Sequence, residues 1–151
     1  MGSCMRVVVP CEGIDVTARD SVTDTSPGPI KGRIAVVGAC ASGKSVLVSR
    51  LCALGYDARQ CAQEHSYVGD MWQRLSRPEV LVYLHVSHSV LRRRRRVDFN
   101  EDYLQEQLRR LEHSRRHCDV YVDTDDSGED EVLAKVIAEL DDLGLRPRMV
   151  C

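Results

Sequence analysis

Aromatic side chains are scarce in this sequence: they make up 5% of 151 residues, with a single Phe and a single Trp. That shortage argues against a platform for single-stranded nucleic acid, which stacks bases on interleaved rings. No charge of one sign dominates. With 21 basic and 23 acidic residues the formal net charge is -2, so no global field draws the chain to nucleic acid or to an anionic membrane. No stretch approaches the ~18 consecutive apolar residues of a transmembrane helix. Residues 1–30 show no charged-then-apolar secretory signal. The opening Met1-Gly2-Ser3-Cys4 falls short of a myristoylation signal, because Arg6 stands where Ser or Thr is required. We expect a cytoplasmic protein with no membrane partner. Seven cysteines are present, none of them in a C-x-x-C pair. The odd count and the expected compartment argue against a disulfide framework, and Cys52, Cys61 and Cys118 read as small core residues.

What is present is ordinary in amount and uneven in placement. The charged share of 29% and hydrophobic share of 43% suit one globular domain with one core. Nine arginines fall between positions 92 and 116, and acids crowd positions 119–142. One segment organises the rest. Residues 38–45 read G-A-C-A-S-G-K-S, which matches the phosphate-binding pattern G-x-x-x-x-G-K-[ST] at every fixed position. An apolar run at 33–37 suits a buried strand before it. Residues 45–54 read as a helix after it, with Gly55 as the C-terminal stop. Glycines let backbone wrap closely around an anion, and successive N–H groups at a helix N-terminus then face it. The bland alternative is a chance match, or a loop that has lost its nucleotide; the strand before and helix after it favour the functional reading.

The remaining chain alternates. Residues 1–31 read as a mobile tail and linker, with a possible edge strand at 5–10 and a breaker at Ser26-Pro27-Gly28-Pro29. The folded domain is expected over 32–145, followed by a short tail at 146–151. A second, weaker strand reads at 56–62, one or two helical turns at 69–76, a break at Pro78, and a clear strand at 80–86. Ser87 suits an N-cap for a helix over 88–96. Asp98 with Glu101 resembles a capping box for the next helix, whose core face is Leu104, Leu108 and Leu111. A last strand reads at 119–123. Ser127 caps a final helix with stripe Leu133, Val136, Ile137 and Leu140, closed by Gly144. This order predicts an α/β fold of three layers, with a short, mainly parallel sheet of about four or five strands. Ligands then gather at the carboxyl ends of the strands.

Over residues 33–140 the chain resembles the P-loop NTPases of the small nucleoside and nucleotide kinase type. The resemblance is carried by residues 38–45, by V-L-V-Y-L-H-V-S at 80–87 followed by the arginines of 90–96, and by D-V-Y-V-D-T at 119–124. It implies ATP and Mg²⁺ as cofactors and transfer of the γ-phosphoryl group to a small molecule or nucleotide. Such kinases usually carry five strands and a larger acceptor-binding insertion. Only 16 residues separate Ala62 from Glu79 here, and no Walker B strand ending in Asp stands between Gly55 and Ser87. The shortened sheet could borrow a strand or an arginine from a second subunit, as a homodimer.

The candidate residues follow. Gly38, Ala39, Cys40, Ala41, Ser42, Gly43, Lys44, Ser45 and Val46 would form the nucleotide site, with Lys44 on the β- and γ-phosphates and Ser45 on Mg²⁺. Glu64 is the candidate acid, as metal partner or as base for the acceptor hydroxyl; a solvated loop glutamate is the equal alternative. His65 could touch the acceptor, though a lone histidine is more often structural. Arg92 and Arg96 share a helical face and are favoured to close over the transferring group. Arg115 and Arg116 read better as a solvated or acid-paired face. His85 reads as core or edge packing. Trp72 and Tyr67 either line an acceptor pocket or cover the sheet end, and residues 124–127 are placed to meet the base. Three functions remain open: a kinase, a nucleotide sensor without efficient chemistry, and a nucleic-acid-directed kinase or binding factor.

Overall fold

The computed structural model describes residues 28–95 and 100–148. The expected strand at 5–10, Arg96 and Asp98 lie outside them. Four strands form one sheet: β1 (Ile30–Gly38), β2 (Asp57–Gln60), β3 (Pro78–His85) and β4 (Val120–Asp123). Their order is β2-β1-β3-β4 and every pairing is parallel. Five α-helices connect or follow them: α1 (Lys44–Ala53), α2 (Met71–Ser76), α3 (His88–Arg95), α4 (Glu101–His117) and α5 (Glu129–Asp142).

Parallel sheets need cover on both faces, because crossover helices lie on each side. The alternation within β1 shows how this is met. Ile34 and Val36 point to one face and Ala35 and Val37 to the other, and all four are fully buried. On the first face Leu47 and Leu51 of α1 and Val132, Val136 and Leu140 of α5 complete a cluster with Val80, Val82 and Val122. On the second face Trp72 of α2, Leu91 of α3 and Leu104 and Leu111 of α4 pack on Leu81 and Tyr83. Each fully buried Leu contributes roughly 1.5–3 kcal/mol of transfer free energy. The result is three layers, helix on sheet on helix.

Several local expectations are corrected. Pro78 does follow the end of the helical turns, at Ser76, and it also opens β3, where a first strand position tolerates its missing N–H. The turn of α2 is ended just before it by Arg77, which sits in the left-handed region at φ 45°. The cap of α4 is Asn100, whose side chain accepts from the Asp102 N–H at 2.9 Å. Ser127 does not cap α5: Gly128 holds that position, and the Ser127 hydroxyl accepts instead from Lys135 Nζ at 2.7 Å. The stripe of α5 is rotated accordingly, with Val132, Val136 and Leu140 buried and Leu133 and Ile137 at its margin. Cys61 is buried and Cys118 half-buried, but Cys52 is exposed and not a core residue. Gly55 does end α1, at φ 98°. A Cβ there would also meet the Arg148 carbonyl at 2.9 Å.

Because every strand points the same way, four segments emerge at one edge of the sheet. They are the turn after β1, a 3-10 turn at Gln63–His65 after β2, the start of α3 after β3, and residues 124–128 after β4. No helix among the described residues is long and apolar enough to cross a membrane.

Candidate functional site

The turn from β1 into α1 is shaped by tight contacts. A Cβ on Gly38 would lie 2.7 Å from both the Leu84 carbonyl and the Ser42 hydroxyl, so only glycine fits. Ala41 takes φ 65° and Gly43 φ 98°, a left-handed pair that turns the chain onto the helix axis. Ser42 N–H donates to the Ala39 carbonyl at 3.1 Å. The first turn of α1 has no side-chain cap and no acid, leaving its positive end and free amides for an anion. Ala39, buried, and Val46, exposed, flank this turn.

Lys44 folds back over the turn. Its ammonium donates to the Gly38 carbonyl at 2.7 Å, the Ala39 carbonyl at 3.0 Å and Glu64 Oε1 at 2.9 Å. Both partners of this ion pair have side chains only 4% exposed. Glu64 comes from the 3-10 turn after β2, which Gln63 holds in place. Buried Gln63 donates to the Val68 carbonyl at 2.8 Å and accepts from the Trp72 N–H at 2.9 Å. Sequence reading therefore placed Glu64 on the right edge, and the structure adds its contact with Lys44. Ser45 is exposed at the same edge, and its hydroxyl donates to Gln60 Oε1 at 2.9 Å. Gln60 ends β2, the strand beside β1. The side chain beside Ser45 is thus an amide and not an acid.

Cys40 and His65 meet above the pair. Cys40 Sγ lies 3.3 Å from His65 Nε2, and the same nitrogen lies 3.7 Å from Glu64 Oε1. From α4, fully buried Gln107 accepts from the Cys40 N–H at 3.0 Å and donates to its sulfur at 3.5 Å. Gln107 was missed by sequence reading, although a signal existed: it lies on the apolar stripe between Leu104 and Leu111, where a glutamine needs a buried partner.

Among the described side chains of α3, Arg94 reaches the turn. Its guanidinium donates to the Ala41 carbonyl at 3.3 Å and to the Thr124 carbonyl at 2.8 Å, so it ties the first turn to the segment after β4. Arg92 is exposed on the same helix. Arg115 and Arg116 pair with Glu112 at 3.6 and 2.9 Å, as an acid-paired face should. Asp125 braces the edge by accepting the Ser87 N–H at 2.7 Å. Burial pushes its carboxyl up, but the Ser87 hydrogen bonds and the charges of His85 and Arg94 outweigh this and leave it below the usual range. His85 is half-buried and stacks on Tyr121, with centroids 5.9 Å apart.

Two cavities open on this edge. One, of about 460 Å³, is lined by Cys40, Lys44, Ser45, Gln60, Glu64 and His65 among others. The second, of about 370 Å³, lies between Gly43, Val46 and Arg50 on one side and Arg94, Thr124 and Ser127 on the other. Trp72 lines neither. It faces a separate space with Arg77, Pro78 and Asp119, near the starts of β3 and β4, while Tyr67 is 85% exposed under the Arg110 guanidinium. Among the described residues, two buried side-chain polar atoms have no hydrogen-bond partner: Ser42 Oγ and Glu64 Oε2. Both belong to this edge. Buried polar groups are otherwise nearly always paired; Ser42 lines the smaller cavity and Glu64 the larger. No protein-family model matches the chain, and no match was found among curated proteins.

Proposed function

We propose that residues 38–45 are a P-loop that binds Mg²⁺-ATP, and that the chain is a small phosphotransferase of the P-loop NTPase class. The observation that carries this reading is the pairing of buried Lys44 with Glu64 beside the two unpartnered atoms, Ser42 Oγ and Glu64 Oε2. Here a lysine, a carboxylate and free helix amides converge on one cleft. Phosphoryl transfer asks for charge neutralisation and positioning more than covalent chemistry, and these groups supply both.

In this reading the loop amides and Lys44 take the phosphates, with Lys44 exchanging backbone carbonyls for phosphate oxygens. The oxygen donors of Ser45 and Glu64 fit a hard cation such as Mg²⁺, which would neutralise charge on the phosphates. Through Oε2, Glu64 positions the metal or takes the proton of the acceptor hydroxyl. The acceptor oxygen forms its bond to the γ-phosphorus as the bond to the leaving diphosphate breaks. The cavity walled by Arg94, Thr124 and Ser127 takes the base. A nucleotide sensor is the second reading. It is favoured by Gln60, an amide where a metal-binding acid would help catalysis. A nucleic-acid reading would rest on the arginines of 92–96, since Arg109, Arg110, Arg115 and Arg116 are paired with Glu106 and Glu112.

Calorimetric titration of Mg²⁺-ATP and Mg²⁺-GTP is the direct test. Binding that is weakened by Lys44→Ala, and made less Mg²⁺-dependent by exposed Ser45→Ala, supports the site. Absence of binding at millimolar nucleotide overturns it. Slow hydrolysis without acceptor and a phosphorylated product with one separate the kinase from the sensor.

A further inference from the structure

The Cys40 and His65 side chains meet at the cleft that Lys44 and Glu64 line. A thiol, an imidazole and a carboxylate come together there from two separate segments. Cys40 Sγ, a ring nitrogen of His65 and a carboxylate oxygen of Glu64 all lie within 4.8 Å of one another. We propose that these three side chains form a binding site for a borderline-soft divalent metal, Zn²⁺ foremost, distinct in chemistry from the Mg²⁺ that accompanies a nucleotide.

Three observations carry it. The first is spacing. In a tetrahedral zinc site, with Zn–S of about 2.3 Å and Zn–N near 2.0–2.1 Å, sulfur and nitrogen ligands stand about 3.5 Å apart. Cys40 Sγ and His65 Nε2 are 3.3 Å apart, and His65 Nε2 and Glu64 Oε1 are 3.7 Å apart. The thiol and imidazole already have that spacing, and the carboxylate of Glu64 has an oxygen within 4.8 Å of both. The second is the orphaned acceptor. Glu64 is 3% exposed, and Lys44 occupies Oε1 while Oε2 has no partner. A metal ligated by Oε2 satisfies that atom without breaking the Lys44 pair. The third is support behind the thiol. Gln107, itself fully buried, donates to Cys40 Sγ from its side-chain amide and fixes the Cys40 backbone through its oxygen. Hydrogen bonds of this kind orient a ligand and stabilise thiolate.

The ligand set selects the metal. Thiolate and imidazole favour Zn²⁺ and its neighbours over Mg²⁺ or Ca²⁺. Three protein ligands leave a fourth position for water or an anion. His65 has a side chain 48% exposed, which gives the ion a path in. Binding converts the Cys40 thiol to a zinc-bound thiolate, and its proton passes to buffer. The site shares Glu64 Oε2 with the nucleotide reading, so the two metals would compete for that atom, and metal binding without nucleotide tests the zinc site by itself.

The test uses the full chain, reduced, stripped of metal and without nucleotide. Co²⁺ serves as the spectroscopic probe and Zn²⁺ as its competitor. The expected result is one Co²⁺ per chain, with a thiolate-to-cobalt charge-transfer band and tetrahedral visible bands that Zn²⁺ bleaches. Cys40→Ser should abolish the charge-transfer band and His65→Ala should weaken Co²⁺ binding at least tenfold. Cys52→Ser, at an exposed position, should leave both unchanged. Circular dichroism of each variant confirms that it is folded. Loss of the band in folded Cys40→Ser and its retention in Cys52→Ser support the site. A band that persists in Cys40→Ser, or no band in the wild type, overturns it.

Discussion

Replacing Lys44 by Ala should destabilise the nucleotide-free protein far more than the loss of one ordinary surface charge. The reason lies in what is left behind. Glu64 Oε1 has Lys44 as its hydrogen-bond partner, and Oε2 has none. Without the lysine, a carboxylate 3% exposed keeps no hydrogen bond to either oxygen. Removing one partner of a buried pair costs about 3–5 kcal/mol, because an uncompensated charge remains. For a chain of this length that corresponds to a fall in Tm of roughly 6–20 °C. The reverse substitution is milder. In Glu64→Ala the Lys44 ammonium retains the Gly38 and Ala39 carbonyls at 2.7 and 3.0 Å. Its cost should be lower, about 1–3 kcal/mol. The double variant should then be more stable than the sum of the two losses predicts, since neither charge is left alone. Urea unfolding followed by the single Trp72, which is 7% exposed, measures all three. A Lys44→Ala loss below about 1 kcal/mol, or a Glu64→Ala loss exceeding it, would show that the pair is not held as the geometry indicates.

Other expectations concern separate parts of the molecule. His113 has its ring held below the ordinary histidine pKa, first by burial and then by the charge of His117, with Asp70 opposing. Trp72 Nε1–H donates to His113 Nδ1 at 3.1 Å, which requires that nitrogen to be unprotonated. Depression of a folded-state pKa means stability is full above the unfolded value, ~6.5, and declines as pH falls below it. Thermal melts between pH 8 and 5 should show that decline, and His113→Gln should flatten it; parallel profiles for the two proteins would refute the assignment. Gly38→Ala should cost about 1–3 kcal/mol in thermal stability, because its Cβ meets the Leu84 carbonyl at 2.7 Å; an unchanged melt would contradict the close approach. Arg94→Ala should cost about 1 kcal/mol by freeing Thr124 from Ala41, while exposed Arg92→Ala should be nearly silent. Equal effects in the two melts would remove the distinction between them.

The difference between Arg94 and Arg92 shows where one-dimensional reading stops. Five consecutive arginines look alike in sequence, and helical periodicity pairs Arg92 with Arg96 on one face. Which of them reaches the turn depends on how α3 leaves β3, and that exit is set by Ser87 and Asp125, residues 38 apart in the chain. Short-range information behaved otherwise. The turn at 38–45, the alternation of strands and helices, and the apolar stripe of α4 follow from periodicity and glycine placement. So did the single parallel sheet, because its connections are helical. Caps were less legible: Ser127 is a good capping residue locally, but Lys135 offers its hydroxyl a charged donor and Gly128 takes the end of the helix. Glu64 was readable as an acid beyond β2, on the ligand edge of the sheet. Its partners were not, since Lys44 and Glu64 are 20 residues apart and Cys40 and Gln107 are 67 apart. What concentrates chemistry here is the parallel sheet itself. It delivers the ends of separate strands to one edge, and buried amides from Gln63 and Gln107 then lock the side chains that arrive. A buried polar residue on an apolar stripe is therefore as informative about a site as the charged residues that line it.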